Sequence, residues 1–258
     1  MQTKQQCITT KLRPDKDGLI TCYKFRGIRT DCKACEEVDL SRIEDILKGN
    51  LYCSDWRKLN DVLEGKYYYE ETYGSSPDSS TRKLIFGERL QKQKEACKVC
   101  SLTTDLTDPL MWTFYASENS GVAIEIKLPY SEEEIVPMTY SETIPVLDLA
   151  LQKNVDKSDV DGSWTRAIAR HVLTHKTNAW KHEQEVRILI EDSELHGHKY
   201  EIQKPAQLYY GPRMPESVYS RLQEICTLHN VKMIPIATVD EEQFGKYFDF
   251  KDGKSVVP

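Results

Sequence analysis

Two glutamates, Glu183 and Glu185, lie two residues apart at the start of a segment in which apolar residues alternate. In a β-strand successive side chains point to opposite faces, so both carboxylates and Arg187 are expected to share one face, with Val186 and Ile188 facing a core. Two like charges held side by side push their pKa values apart, so one carboxylate stays ionised while the other transfers a proton. The pattern predicts an acid-base site, and its simpler alternative is an edge strand with a solvated charged face.

The elements that must position these carboxylates are short and mixed. Hydrophobic periodicity predicts strands over residues 19–28, 51–54, 99–103, 121–128, 136–140, 207–210 and 231–239. Caps and helical spacing predict helices that begin near Ser41, Leu84, Trp164 and Pro215, and an aromatic helical turn over residues 109–115. The helix from Trp164 is expected to reach Ala179. Because strands and helices do not alternate regularly, we expect an α+β fold, with mixed short-stranded sheets and flanking helices.

Length and composition restrict the class of protein. The chain has 258 residues and a net charge of −6, which fits a single domain over residues 1–258. A run of Gly, Ser and Pro predicts a mobile loop near residues 74–82. No apolar run approaches the roughly 18 residues of a membrane helix, and the amino-terminal residues lack the apolar core of a signal peptide. We therefore expect a cytoplasmic protein without a membrane partner, and the acidity argues against a non-specific nucleic-acid coat.

The eight cysteines are spread along the chain, and reduced thiols are the expectation. Two pairs, Cys32 with Cys35 and Cys97 with Cys100, have the spacing of a zinc knuckle. The gap between the pairs is far longer than the roughly 15 to 20 residues of the usual zinc ribbon, and Cys100 fits a buried strand. Zinc is therefore the weaker interpretation of these cysteines.

Six short motifs, each different, are spread along most of the chain. They are Tyr23-Lys24-Phe25-Arg26, Leu51-Tyr52-Cys53-Ser54, Asn60-Asp61 with Glu64, Met111-Trp112 with Tyr115, Trp180 with Glu183-Gln184-Glu185-Val186-Arg187, and Tyr210-Gly211. Their order resembles a bacterial family known as domain of unknown function 2971, over roughly residues 19–236. The chain departs from that pattern at Val62, where a proline is expected after Asn-Asp, and the loop of Cys32 and Cys35 is an addition.

A second resemblance concerns chemistry. Arg26 closes the first strand, Ser54 ends the second and Glu185 enters a later one. This order is similar to the arginine, serine and glutamate pattern of ADP-ribosyltransferases, which cleave the nicotinamide glycosidic bond of NAD. The resemblance implies an ADP-ribosyltransferase-like fold, NAD as co-substrate, and a protein or nucleic acid as acceptor of ADP-ribose. It also implies a role as a bacterial toxin or antiviral defence effector.

The resemblance gives each residue a role. Glu185 would stabilise an oxocarbenium-like ribose, and Glu183 would position or deprotonate the acceptor. Ser54 would orient Glu185 by hydrogen bonding, while Arg26 would bind the pyrophosphate with its planar fork of donors. Trp112 and Tyr115 could stack on flat rings. The positions assigned to NAD binding are Arg26, Tyr23, Asn60, Asp61, Trp112 and Tyr115.

Each assignment has a simpler alternative. Arg26 could form a structural ion pair with Asp61 or Glu64. Asn60 and Asp61 could hold their own loop, and the two aromatic residues could belong to the core. Arg187 is expected to neutralise one of the glutamates whatever the function.

Two rival functions remain open. Glu125 and Lys127 form a Glu-x-Lys motif on an amphipathic strand, and Asp108 lies upstream. That arrangement resembles metal-dependent nucleases, in which carboxylates hold Mg²⁺ and a lysine assists the attacking water. The other rival is a non-catalytic module that binds a nucleotide or a partner protein.

Overall fold

The computed structural model describes residues 7–70, 79–131, 133–148 and 162–236. The helices are α1 (Lys33–Leu47), α2 (Ser79–Ala96), α3 (Pro109–Tyr115), α4 (Ser163–Val172) and α5 (Glu216–Leu228). The strands are β1 (Ile8–Thr9), β2 (Leu19–Arg26), β3 (Asn50–Tyr52), β4 (Ser54–Asp55), β5 (Tyr68–Glu70), β6 (Cys97–Thr103), β7 (Val122–Pro129), β8 (Ile135–Pro137), β9 (Thr139–Ser141), β10 (Val146–Asp148), β11 (His175–Thr177), β12 (Glu185–Glu191), β13 (Lys199–Glu201), β14 (Gln207–Tyr210) and β15 (Lys232–Pro235). Short 3₁₀ helices span Trp56–Lys58, Asn178–Glu183 and Asp192–Glu194.

One large sheet forms the centre of the fold. Its strand order is β15-β14-β7-β2-β6-β12-β8, and β4 pairs with β6 off this path. Neighbouring strands are antiparallel except for the parallel pair β14 and β15. Smaller groupings are β1-β9-β11, β5 with β10, and β3 with β13. The expected α+β class with short mixed strands is confirmed.

The central sheet is split between β2 and β6. Strand β2 pairs with β7 along all 8 of its residues, but its only pairing with β6 in the described ranges joins Tyr23 to Thr103. Beyond that point β4 occupies the same edge of β6, where Ser54 pairs with Val99. The carboxyl-terminal end of β2 and the short strand β4 therefore flank a gap. Lys24 reaches across it and donates from Nζ to the carbonyl oxygen of Ser101 at 2.7 Å.

Two clusters of apolar side chains pack against the sheet next to this gap. The largest cluster packs α1 and α5 against the sheet, and it includes Ile43, Leu47 and Leu222. A second cluster forms around Trp112 of α3 and Phe25 of β2. Full burial of such a side chain stabilises the fold by about 1.5–3 kcal/mol. The two clusters thus hold β2 in place from both faces.

Several predicted boundaries are wrong. Helix α1 begins after Cys32 rather than near Ser41, because the Cys32 sulfur accepts a hydrogen bond from the Cys35 amide and caps the helix. Helix α4 ends at Val172 and not at Ala179, since the chain turns into β11. The strand predicted over residues 136–140 is two strands, β8 and β9.

The predicted loop near residues 74–82 overlaps the described structure only in part. Residues 74–78 lie outside the described residues, and residues 79–82 belong to α2. Residues 237–239 of the last predicted strand also lie outside them. None of the helices in the described ranges is long and apolar enough to cross a bilayer.

Candidate active site

A cavity of about 260 Å³ occupies the split between β2 and β6. It is lined by Arg26 from β2, Ser54 from β4 and Glu185 from β12, so the structure brings the three residues of the predicted pattern together. Four other predicted site residues also line it: Tyr23, Asn60, Tyr115 and Glu183.

Two predicted ligand contacts lie elsewhere. Trp112 is 0% exposed, donates from Nε1 to the carbonyl oxygen of Leu106 at 2.7 Å and packs edge-on against Phe25. Asp61 accepts a hydrogen bond from the Leu63 amide at 2.9 Å, and this bond closes its own turn. Neither side chain lines the cavity. Trp112 and Asp61 therefore do not fit the predicted role in NAD binding, because Trp112 packs in the core and Asp61 closes its own turn.

A network of buried charges forms one wall of the cavity. Lys176 Nζ lies 2.5 Å from Glu183 Oε2 and 2.6 Å from Glu185 Oε2. Arg187 contacts Glu185 through Nε at 2.7 Å, and its two terminal nitrogens bind both oxygens of Glu64 at 2.6 and 2.7 Å. All five side chains are buried. The expectation that Arg187 neutralises one of the glutamates is confirmed.

The chain brings the two glutamates to Lys176 by a change of backbone conformation rather than by strand alternation. Glu183 ends a 3₁₀ helix, Gln184 adopts a left-handed conformation with φ of 40°, and Glu185 begins β12. The prediction that both carboxylates share a strand face is therefore wrong. The alternative of a solvated edge is wrong as well, because β12 lies between β6 and β8 and Arg187 is 0% exposed.

The pKa values of the two carboxyl groups are shifted in opposite directions. Burial raises the pKa of the Glu183 carboxyl above its ordinary value, with the Glu185 charge adding to the effect of burial and Lys176 opposing it. Burial alone would also raise the pKa of Glu185, but the charges of Arg187 and Lys176, with hydrogen bonds from both, hold it well below its usual range. The two pKa values diverge, but burial and the neighbouring cations are the main causes, and the mutual repulsion of the carboxylates that the sequence predicts contributes less.

The balance of buried charges explains why the pKa of Glu183 rises while that of Glu185 falls. Among the buried side chains that ion pairs join directly, three carboxylates (Glu64, Glu183 and Glu185) face two cations (Lys176 and Arg187). An uncompensated buried charge is costly, and a carboxyl group avoids that cost by taking up a proton. Protonation of Glu183 leaves two negative and two positive charges, so Glu183 is the group that can exchange a proton.

Tyr115 and Asn60 extend the network towards the cavity. The Tyr115 hydroxyl donates to Glu183 Oε1. The Asn60 side chain forms a hydrogen bond with the Tyr115 hydroxyl. Burial and the adjacent Glu183 charge raise the pKa of Tyr115, so the phenol stays protonated and remains a donor.

Arg26 and Ser54 have fewer partners than expected. The expected ion pair of Arg26 with Asp61 or Glu64 is wrong, because Glu64 binds Arg187 and Asp61 closes a turn. The buried Nε of Arg26 has no hydrogen-bond partner among the described residues. The expected hydrogen bond from Ser54 to Glu185 is also not formed in the described structure. Arg187 and Lys176 orient the Glu185 carboxylate instead.

Sequence reasoning missed Lys176 and the ion pair between Glu64 and Arg187. The helix predicted from Trp164 to Ala179 includes Lys176, whereas in the structure Lys176 lies in β11 and is a buried cation. The available signal was the Glu64 that follows Asn60-Asp61, but its partner lies 123 residues away along the chain. An ion pair between residues so far apart depends on the fold, and no local sequence motif indicates it.

The four cysteines do not assemble into one site. Cys97 packs in a cluster with Trp56, whereas Cys100 faces the main core from the opposite face of β6. The Cys32 sulfur caps α1. Within the described parts of the chain, no group of three or more His, Cys, Asp or Glu side chains is placed to hold a metal ion. The geometry thus gives no support to the zinc interpretation.

The residues of the nuclease alternative lie apart from the cavity, and two of them already have hydrogen-bond partners. Asp108 caps α3 by accepting hydrogen bonds from the amides of Leu110 and Met111 at 2.7 and 3.2 Å. Glu125 accepts a hydrogen bond from the Tyr209 hydroxyl at 3.1 Å, and Lys127 is exposed on β7. None of the three lines the cavity.

Comparison of the chain with known protein families, with curated proteins and with solved structures finds no match. The two resemblances drawn from motif order therefore stay predictions.

Proposed function

We propose that this protein is an ADP-ribosyltransferase-like enzyme that cleaves the nicotinamide glycosidic bond of NAD in the cavity between β2 and β6. The observation that carries the proposal is the convergence of Arg26, Ser54 and Glu185, from three separate strands, on one cavity that also holds a second carboxylate. An ADP-ribosyltransferase-like fold, a macromolecular acceptor and a role as a toxin or defence effector belong to the same proposal.

The chemistry assigns different work to the two glutamates. The bond between C1′ of the ribose and the nicotinamide nitrogen breaks, and nicotinamide leaves with the electron pair. Glu185, ionised beside Arg187 and Lys176, stabilises the positive charge that develops on the ribose. The acceptor then forms a bond to C1′ and gives its proton to Glu183, whose raised pKa suits proton transfer closer to neutral pH.

Arg26 suits the recognition of the pyrophosphate. Its guanidinium lines the cavity and its Nε lacks an acceptor among the described residues. A planar fork of donors binds phosphate oxygens with charge-assisted hydrogen bonds. Tyr115 and Tyr23 line the same space and offer aromatic surfaces for the flat rings of the dinucleotide.

The test is release of nicotinamide from NAD by the purified protein, with and without added cell lysate as a source of acceptor. Arg26→Gln is the first variant, because it removes the phosphate contact without breaking an ion pair in the described structure. We expect the variant to raise KM at least tenfold with an unchanged melting temperature. Glu125→Gln is the matched control, since Glu125 does not line the cavity, and its release of nicotinamide should equal that of the wild type.

Release of nicotinamide that is lost in Glu185→Gln would support the assigned chemistry, provided that the variant keeps the wild-type circular dichroism spectrum. Absence of release with and without lysate would contradict the proposal. Mg²⁺-dependent cleavage of nucleic acid that Glu125→Gln abolishes would favour the nuclease alternative instead.

A second candidate function is a non-catalytic nucleotide-binding module. One observation favours it: both oxygens of Glu185 already have cationic partners, at 2.6 and 2.7 Å. Saturable binding of NAD without release of nicotinamide, measured by calorimetry, would identify this function.

A further inference from the structure

A second cavity of about 540 Å³ adjoins the first and shares Arg26, Tyr52 and Lys58 with it. Arg42 and Lys199 line this second cavity but not the first. Four cations therefore line it, and Asp45 is the one carboxylate among its described lining residues, while Asp39 and Asp55 contact Arg42 and Lys58 without lining the cavity. This local excess of positive charge stands out on a chain whose net charge is −6. Such a concentration of charge in a concave surface attracts anions.

Three of the four cations of this second cavity form long or exposed ion pairs. Arg42 lies 3.5 Å from Asp39, Lys58 lies 3.4 Å from Asp55, and their side chains are 60% and 66% exposed. Lys199 contacts Asp45 at 3.1 Å with 44% of its side chain exposed. Exposed ion pairs of this kind contribute little to stability, so an incoming phosphate can compete for the cations.

An exposed aromatic ring completes the second cavity. Tyr52 is 47% exposed, and its ring packs against that of His198 with centroids 5.8 Å apart. Aromatic rings that lie among cations bind nucleotides by base stacking, while the cations bind the phosphates. The combination distinguishes this cavity from a simple anion site, because it provides for both parts of a nucleotide.

We propose that the second cavity binds a nucleotide unit, with its phosphate on Arg42, Lys58 and Lys199 and its base on Tyr52. The unit can belong to a free nucleotide or to a nucleic-acid strand, since both present a phosphate beside a flat base. The assignment goes beyond the proposed cleavage of NAD. Tyr52 and Lys58 also line the first cavity, whereas Arg42 and Lys199 line only the second, so the variant of these two residues distinguishes the two sites.

The test is fluorescence anisotropy with two probes, labelled ADP and a labelled single-stranded oligothymidylate. The variants are Arg42→Gln/Lys199→Gln and Tyr52→Ala. The matched control is Lys232→Gln, which removes an exposed lysine from β15 at the far edge of the central sheet. We expect at least one probe to bind, with affinity reduced at least tenfold in both variants and unchanged in the control.

The salt dependence identifies the contacts. If the oligothymidylate binds, the slope of log affinity against log salt should fall in magnitude by about 1 to 1.5 in the double variant, because two phosphate contacts are lost. Binding of ADP alone assigns the site to a free nucleotide, and binding of the oligothymidylate assigns it to a strand. Failure of both probes to bind, or binding that survives in both variants, would overturn the proposal.

Discussion

Replacement of Lys176 by methionine tests the buried network directly, because this cation contacts both Glu183 and Glu185. Removal of one partner of a buried ion pair costs about 3–5 kcal/mol of unfolding free energy, since a charge is left without compensation. Glu185 keeps its contact with Arg187, so the loss falls mainly on Glu183. We therefore expect a destabilisation of about 3 kcal/mol near pH 8, at the lower end of that range.

The destabilisation should depend on pH in a defined direction. The folded protein already raises the pKa of Glu183 above its unfolded value. A group of this kind contributes stability that is present below its unfolded pKa and is lost as the pH rises through its folded pKa. Because Lys176 opposes the rise, the substitution should raise the folded pKa of Glu183 further. Each added unit corresponds to about 1.4 kcal/mol, so the variant should lose more stability than the wild type between about pH 5 and pH 8.

Urea unfolding at about pH 5 and about pH 8 measures the effect. The double variant Lys176→Met/Glu183→Gln serves as the control, because it removes the charge that the single variant leaves uncompensated. It should be about 1–3 kcal/mol more stable than Lys176→Met near pH 8 and should show a weaker dependence on pH. A single variant as stable as the wild type near pH 8, or a double variant no more stable than the single one, would refute the reasoning.

Tyr115→Phe removes the hydrogen bond to Glu183 and should raise the pKa of that carboxyl, which ¹³C-carboxyl NMR can measure; an unchanged or lower pKa would count against the contact. Trp112→Ala should cost about 3–5 kcal/mol in urea unfolding, because the indole is 0% exposed, and a cost below about 1 kcal/mol would contradict its place in the core. Asp108→Ala should cost about 1 kcal/mol through loss of the α3 cap, whereas Asp108→Asn should keep nearly full stability; equal losses in both variants would disprove the capping role.

The general architecture could be predicted from the sequence because periodic apolar patterns control it locally. Strands β2, β6, β7 and β14 lie within two residues of their predicted positions, and α3 matches its predicted range. The predicted ends of helices were wrong where two local capping signals compete. Ser41 begins a sequence that resembles a capping box, but the helix was already capped at Cys32 by a sulfur, which is an uncommon capping group.

The candidate site was predictable only in part. Arg26, Ser54 and Glu185 were recognised by their order along the chain, and the fold brings them to one cavity. The sequence does not predict the role of Lys176 or the pairing of Glu64 with Arg187, because burial and contacts between distant segments decide both. The sequence pattern also suggested a solvated charged strand, since a buried charged network produces the same alternation as an exposed face.

The most direct test of the proposed enzyme is a crystal structure of the protein with a non-hydrolysable NAD analogue. The account predicts electron density in the cavity between β2 and β6, with the nicotinamide ribose beside Glu185 and the pyrophosphate on Arg26. An analogue bound at another surface, or a cavity that stays empty at saturating analogue, would contradict it.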